Sequence, residues 1–248
     1  LEATLGGISV MNNGSVLIKD SQIILHSRIG YGTSGGFQSN GSAALIEAEN
    51  VTITSDIAGN ALGMWATSGG VIQSKNTTVD LLRGDSLRSE DSGSLINLTG
   101  NTTLHATLDD AIIFTRNNGQ VTGAGKMDLS GDIYTQNNGL VDLQMISGSQ
   151  FLGSADSWGP NGGIINMALT DSQWQMGALN TGNSYVNNLT LSNSTVNIGG
   201  GTDYQTLNVN NLSGNGIFKM RTDMAAGEAG ATIGSGAIGT GGGDLLNV

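Results

Sequence analysis

Short apolar runs alternate with polar ones along the whole chain, and the alternation has a long period. A polar phrase closed by an apolar residue recurs as Asn50-Val51-Thr52-Ile53, Asn76-Thr77-Thr78-Val79 and Asn101-Thr102-Thr103-Leu104. A looser copy, Gln22-Ile23-Ile24-Leu25, precedes them, and further copies end at Leu129, Leu152, Met176, Val196 and Phe218. Counted between these closing residues, the steps are 28, 26, 25, 25, 23, 24, 20 and 22 residues. A repeat of this size predicts a solenoid, in which each unit buries its apolar face only against its neighbours.

Within a unit, the runs are too short for helices and are bounded by turn formers. Asn13-Gly14-Ser15-Val16-Leu17-Ile18-Lys19-Asp20 and Gly69-Gly70-Val71-Ile72-Gln73-Ser74-Lys75 are examples, and Asn118-Gly119, Asn138-Gly139 and Gly162-Gly163 open three more. Gly and Asn supply the left-handed backbone of a sharp corner. Strands joined by corners, about two dozen residues to the lap, predict an all-β parallel β-helix. Roughly ten laps spaced about 4.8 Å apart give a rod on the order of 45–50 Å long. Val16, Ile18, Ile46, Ile72, Val79 and Leu104 are its expected inward columns, and Asn, Ser and Thr its outward ladders. Two segments break the rhythm: 156–163, read as a loop out of the wall, and the Gly-rich 227–243, read as an excursion before a returning strand at 244–248.

Composition narrows the function. The 248 residues carry a net charge of −11, with nine Lys and Arg against twenty Asp and Glu. Nucleic-acid binding needs clustered cations, so it is excluded as a partner; an anionic membrane surface is disfavoured likewise. The absence of cysteine removes disulfides, thiol catalysis and zinc–thiolate sites. It suits a chain kept unfolded while it crosses an oxidising compartment. The opening without a leader and the close without a tail suggest a piece of a larger protein.

The last third carries a recognisable pattern. Trp174-Gln175-Met176, the run Ser184 to Asn197, the run Thr206 to Asp223 and the closing Gly243-Asp244-Leu245-Leu246-Asn247-Val248 resemble pertactin-like autotransporter passengers, a group that includes AIDA-type adhesins. The resemblance implies a right-handed parallel β-helix on a Gram-negative surface, anchored in the outer membrane through a β-barrel not contained here. It divides the chain into passenger laps at 1–170 and autochaperone-like laps at 171–248, which fold first and template the rest. Residues expected to stabilise that region are Trp174, Tyr185, Leu189, Leu191, Val196, Leu207, Val209, Leu212, Phe218 and Met220. The implied roles are adhesion, aggregation and biofilm formation. The implied partners are a host surface or matrix protein, a glycan, or another copy of the chain.

Candidate chemistry is sparse. Arg83-Gly84-Asp85 is the integrin-recognition tripeptide and stands between two strand runs; an ordinary solvated corner would hold the same residues. Asp109-Asp110 is a carboxylate pair of the kind that cleaves glycosidic bonds, with Asp85 and Asp132 near one lap away. An acidic corner explains it more simply, and a polysaccharide-active β-helix enzyme remains the alternative. His26 and His105 have no spacing that suggests a metal site. The aromatics Trp174, Tyr185, Tyr204 and Phe218 could form a sugar-stacking platform or pack the end of the rod. The sequence therefore predicts a non-enzymatic surface passenger without a cofactor; a purely structural stalk is a further alternative.

Overall fold

The computed structural model describes residues 2–3, 7–26, 34–56, 61–106, 111–157, 162–177, 183–200, 204–221 and 243–248. They form one 20-stranded parallel sheet wound on itself. After β1 (Glu2–Ala3), short and long strands alternate. They are β2 (Ile8–Met11) and β3 (Ser15–Leu25), β4 (Ser34–Asn40) and β5 (Leu45–Ser55), and β6 (Ala61–Thr67) and β7 (Val71–Leu81). Then come β8 (Gly84–Glu90) and β9 (Leu95–Ala106), and β10 (Ala111–Arg116) and β11 (Gln120–Ser130). In the next two laps the long strand is split, as β12 (Asp132–Thr135), β13 (Leu140–Met145) and β14 (Gln150–Leu152), then β15 (Ala155–Ser157), β16 (Ile164–Thr170) and β17 (Gln173–Gln175). After these seven laps, β18 (Ser184–Asn197) and β19 (Thr206–Lys219) each run a whole lap, and β20 (Leu245–Asn247) begins another.

Every lap has three faces. Face A holds the short strands, face B the first half of each long strand and face C the second. On face A, β2, β4, β6, β8, β10, β12, β15, the starts of β18 and β19, and β20 stack as ten rungs. Nine steps of about 4.8 Å give about 43 Å of rod.

The corners follow from residue chemistry. Between faces A and B, Asn12-Asn13-Gly14, Asn117-Asn118-Gly119 and Asn137-Asn138-Gly139 repeat one turn. Both asparagines have positive φ, for example 53° and 68° at Asn117 and Asn118, which asparagine tolerates better than other side chains. The glycine N–H closes the turn onto the carbonyl three residues earlier, as from Gly119 to Arg116 at 2.9 Å. Paired positive φ values at the two central positions make this a type I′ turn. Gly119 must be glycine because a Cβ there would sit 2.3 Å from the Ser89 carbonyl oxygen of the lap beneath. Between faces B and C a single left-handed residue suffices: Asp20, Asn50, Asn76, Gly100, then Asn193.

Inward residues form unbroken columns. Phe37, Met64, Leu87, Ile113, Ile133 and Ala155 stack on face A. Val16, Ile46, Ile72, Ile96, Val121, Val141 and Ile165 stack on face B. Face C carries Ile23, Ile53, Val79, Leu104, Leu129, Phe151, Trp174, Val196 and Phe218. This last column is the closing residue of the repeated phrase, with three corrections. Its members are Ile23, Phe151 and Trp174 in place of Leu25, Leu152 and Met176. Leu25 and Met176 are also buried, but two residues further along, and Leu152 is half-buried beside Phe151. In register the last four steps are 22 or 23 residues; the first shortening comes at the turn from face C to face A, where Leu129 to Ile133 replaces the longer stretch from Leu104 to Ile113.

Asp156 and Ser157 belong to strand β15, so the wall extends further than the sequence suggested. The centre of that break, 158–161, and the Gly-rich stretch up to 242 lie outside the described residues. The returning strand is β20, parallel to β19. The rungs run through position 170 without interruption.

Candidate functional site

With the interior filled, the chemistry of this chain lies on its outer faces. On face B and its corner, like polar side chains meet from lap to lap. Asn50 donates to Asp20 at 2.7 Å and Asn76 donates to Asn50 at 3.0 Å, and the Asn76 amide oxygen accepts from the Asn101 backbone at 3.1 Å. Higher on the rod, Asn188 donates to Asn166 and Asn211 to Asn188, at 2.6 and 3.0 Å, while Asn193 donates to Asp171 at 2.6 Å. In-register stacking sets identical groups one rung apart, so each amide finds the next.

A charged ladder runs beside them. Glu49 accepts from Lys75 and pairs with Lys19, both at 2.9 Å. The hydrogen bond from Lys75, then that from Lys19, pulls the Glu49 carboxyl down to about 2, and the same contact raises Lys19.

Face A differs in kind. Its outward column reads Gln38, Trp65, Arg88, Phe114, Tyr134, Asp156, Tyr185 and Asn208, each directly over the last. The Arg88 guanidinium lies 5.0 Å from the Phe114 ring centre and that of Arg116 lies 5.8 Å from it. Glu90, nearly buried, holds Arg88 Nε at 2.7 Å and Arg116 Nε at 2.8 Å; these are close ionic contacts rather than aligned hydrogen bonds. Asp132 is buried and accepts from Tyr134 Oη and from the Ser154 backbone. One rung away, burial and then the Asp132 charge raise the Asp156 carboxyl above its ordinary value.

Arg83-Gly84-Asp85 lies where face C turns into face A. Arg83 is exposed, but Gly84 and Asp85 begin β8. Gly84 has φ +113°, and a Cβ on it would lie 2.0 Å from the Ala61 carbonyl oxygen. Asp85 is 18% exposed, with Arg88 Nε at 3.7 Å. The tripeptide is thus fixed into the wall rather than carried on a projecting tip. Asp109 and Asp110 lie outside the described residues, and Asp132 stands two rungs from Asp85. Each histidine faces an aspartate of the next lap, His26 with Asp56 at 2.7 Å and His105 with Asp128 at 4.0 Å. Only the lap register reveals those pairs.

The residues assigned to the C-terminal laps divide by face. Trp174, Leu189, Leu191, Val196, Leu207 and Val209 are buried, and Leu212 and Phe218 pack against the core from its end. The Trp174 indole stacks on Phe151 with centres 5.5 Å apart and donates to the Gly153 carbonyl at 2.9 Å. Tyr185 and Met220 do not join the core; they are 43% and 42% exposed. Tyr204, also exposed, lies under Arg221.

Comparison with known proteins agrees with this architecture. Residues 186–248 match the family model described as pertactin. Over 98% of its length the chain is 31% identical to the probable autotransporter YcgV of Escherichia coli K12, and covers 25% of that protein. It is 32% identical, over 88% of its length, to the putative uncharacterized protein YcgV of Escherichia coli O157:H7, and covers 41% of it. A stretch of 37% of the chain is 35% identical to part of the IgA-specific serine endopeptidase autotransporter of Neisseria gonorrhoeae, covering 6% of that protein. No solved structure matches. Stacked parallel laps and these matches together define a pertactin-like autotransporter passenger domain. Such relatives imply a Gram-negative outer-membrane or cell-surface location.

Proposed function

We propose that this passenger is a non-enzymatic, surface-exposed rod that mediates adhesion or cell-to-cell aggregation. The supporting observation is the outer wall, where Asn side chains bond from lap to lap in two runs and Glu49 bridges Lys19 and Lys75, while the interior is closed by apolar columns. A flat wall that repeats one weak contact gains strength through avidity once two walls align. The net charge of −11 opposes the approach of a second copy, so self-association should strengthen as salt screens that repulsion.

The laps at 171–248 act as the folding core of the rod, because the largest fully buried side chain among the described residues, Trp174, and the Arg221–Asp244 clasp both lie there. Anchoring through the protein's own outer-membrane barrel completes this reading, with a matrix protein, a glycan or another passenger as partner.

The test is clumping and matrix binding by bacteria that display the passenger with and without residues 1–150. Loss on deletion supports an adhesive wall on these laps. Unchanged binding leaves the segment as a stalk.

A further inference from the structure

Face A carries a stripe that polar ladders do not explain. Trp65, Arg88, Phe114, Tyr134, Asp156 and Tyr185 occupy one outward column on six consecutive rungs. Nowhere else in the described residues do four aromatic side chains share one outward column. The five steps of about 4.8 Å span about 24 Å along the rod axis. We infer that this stripe is a binding track for an extended, uncharged polysaccharide lying parallel to the rod; the inference rests on the adhesive reading and names its ligand class.

Three features select that ligand. First is spacing: a planar or polar group recurs at each rung, close to the advance of one pyranose in an extended β-1,4-linked chain. An extended chain therefore keeps step with the rungs, and an irregular or folded polymer would not. Second is chemistry. Aromatic side chains offer apolar surface with a polar handle to the C–H groups and hydroxyls of a sugar. Tyr185 is exposed and the Trp65 indole is half-buried, with its N–H turned into the wall. Phe114 lies between the Arg88 and Arg116 guanidinium groups and the Tyr134 hydroxyl is held by Asp132, so the open aromatic surface is that of Trp65 and Tyr185.

The third feature is charge. Arg88 and Arg116 are already met by Glu90, and Arg88 also by Asp85. Asp156 adds a negative group, in a chain of net charge −11. An anionic polymer finds no uncompensated cation on the stripe, whereas a neutral one loses nothing. Cross-strand packing alone would also place large residues together. It gives no reason for Tyr185 left exposed in line with a half-buried indole.

The experiment is titration calorimetry of the whole chain with hexasaccharides of β-1,4-glucose, β-1,4-xylose and β-1,4-mannose, with the corresponding disaccharides, and with hexagalacturonate as the anionic probe. At least one neutral hexasaccharide should bind about tenfold or more tightly than its disaccharide and than hexagalacturonate. Tyr185→Ala, at an exposed position, should weaken it while the melting temperature holds. Trp65→Ala should abolish it.

The inference is overturned if no neutral hexasaccharide binds, if hexagalacturonate binds best, or if Tyr185→Ala and Trp65→Ala leave affinity unchanged. Clumping by bacteria displaying these variants separates the two readings. Unaltered clumping without sugar binding removes the stripe and leaves the adhesin. Sugar binding by a passenger that never clumps cells or binds matrix removes the adhesin and leaves the stripe.

Discussion

Asp244 reaches back 23 residues to Arg221 and locks the last rung onto the rod. Its fully buried carboxylate accepts from the Arg221 backbone N–H and from Nη2 at 3.3 Å, and from the Gln205 backbone at 3.0 Å. The Asp244 N–H in turn donates to the Arg221 carbonyl at 2.9 Å. One side chain thus ties together the entry to β19, its exit and the start of β20.

Asp244→Ala should therefore destabilise the C-terminal laps by about 1.5–3 kcal/mol, the range for hydrogen bonds to a charged group. Hydrogen exchange at the Gln205 and Leu245 amides should quicken by the corresponding factor, with the Ile72 amide, far down the rod, unaffected. Equal acceleration at all three would mean that the clasp governs the whole rod.

Trp174→Ala removes the largest fully buried side chain from the face C column and should cost about 3–5 kcal/mol. Trp174→Phe keeps the stack on Phe151 but strands the Gly153 carbonyl, so a smaller loss of about 1–3 kcal/mol is expected. Denaturant midpoints of the two variants check the order. If these laps template the rest, refolding should also slow more for Trp174→Ala than for an alanine at Ile46, whose burial is equally complete but which lies in an early lap.

How far the sequence carried this picture can be argued from two columns. Ile53, Val79, Leu104 and Leu129 were legible because each closes a polar phrase whose spacing stays at 25 or 26 residues. Register slips at Phe151 and Trp174, where a shorter turn from face C to face A changes the lap length and neighbouring apolar residues offer a second choice. The face A stripe left no trace in the sequence. Its members are separated by 23, 26, 20, 22 and 29 residues, since the corners between them vary in length. Only pairing in space aligns them. The tripeptide at 83–85 was visible as a motif, but its fixed place in β8 was not.

Gly84→Ala, an obvious way to test that tripeptide, should fail for a structural reason. The added Cβ meets backbone, at a φ that L-residues rarely adopt. Thermal melting should show local loss of the lap, so lost adhesion in this variant would not report recognition. Asp85→Asn leaves the backbone undisturbed and should melt close to wild type. Integrin binding by the wild type that survives Asp85→Asn would show that the tripeptide is not the contact.

Acid sensitivity has a named contributor in Glu49. Its carboxyl sits at about 2 in the folded chain, against an ordinary 4.5. A lowered pKa stabilises the fold above the ordinary value, and that contribution is lost as pH falls from about 4.5 towards 2. Glu49→Gln should flatten the stability profile in that window alone, and added salt should shrink the difference because the pair is near the surface. Stability curves of the two proteins that stay parallel below pH 4.5 would contradict the assignment.

Function that resides on the outer wall should be lost when that wall is recoated one face at a time. Lysines at Gln73, Asn97 and Asn166 recoat face B, lysines at Thr78 and Thr103 recoat face C, and alanines at Trp65 and Tyr185 strip face A. Bacteria displaying each set are scored for clumping and matrix binding, with melting curves as the control for folding. Loss is expected on at least one recoated face at unchanged melting temperature. Full clumping and matrix binding by all three sets, each correctly folded, would contradict it.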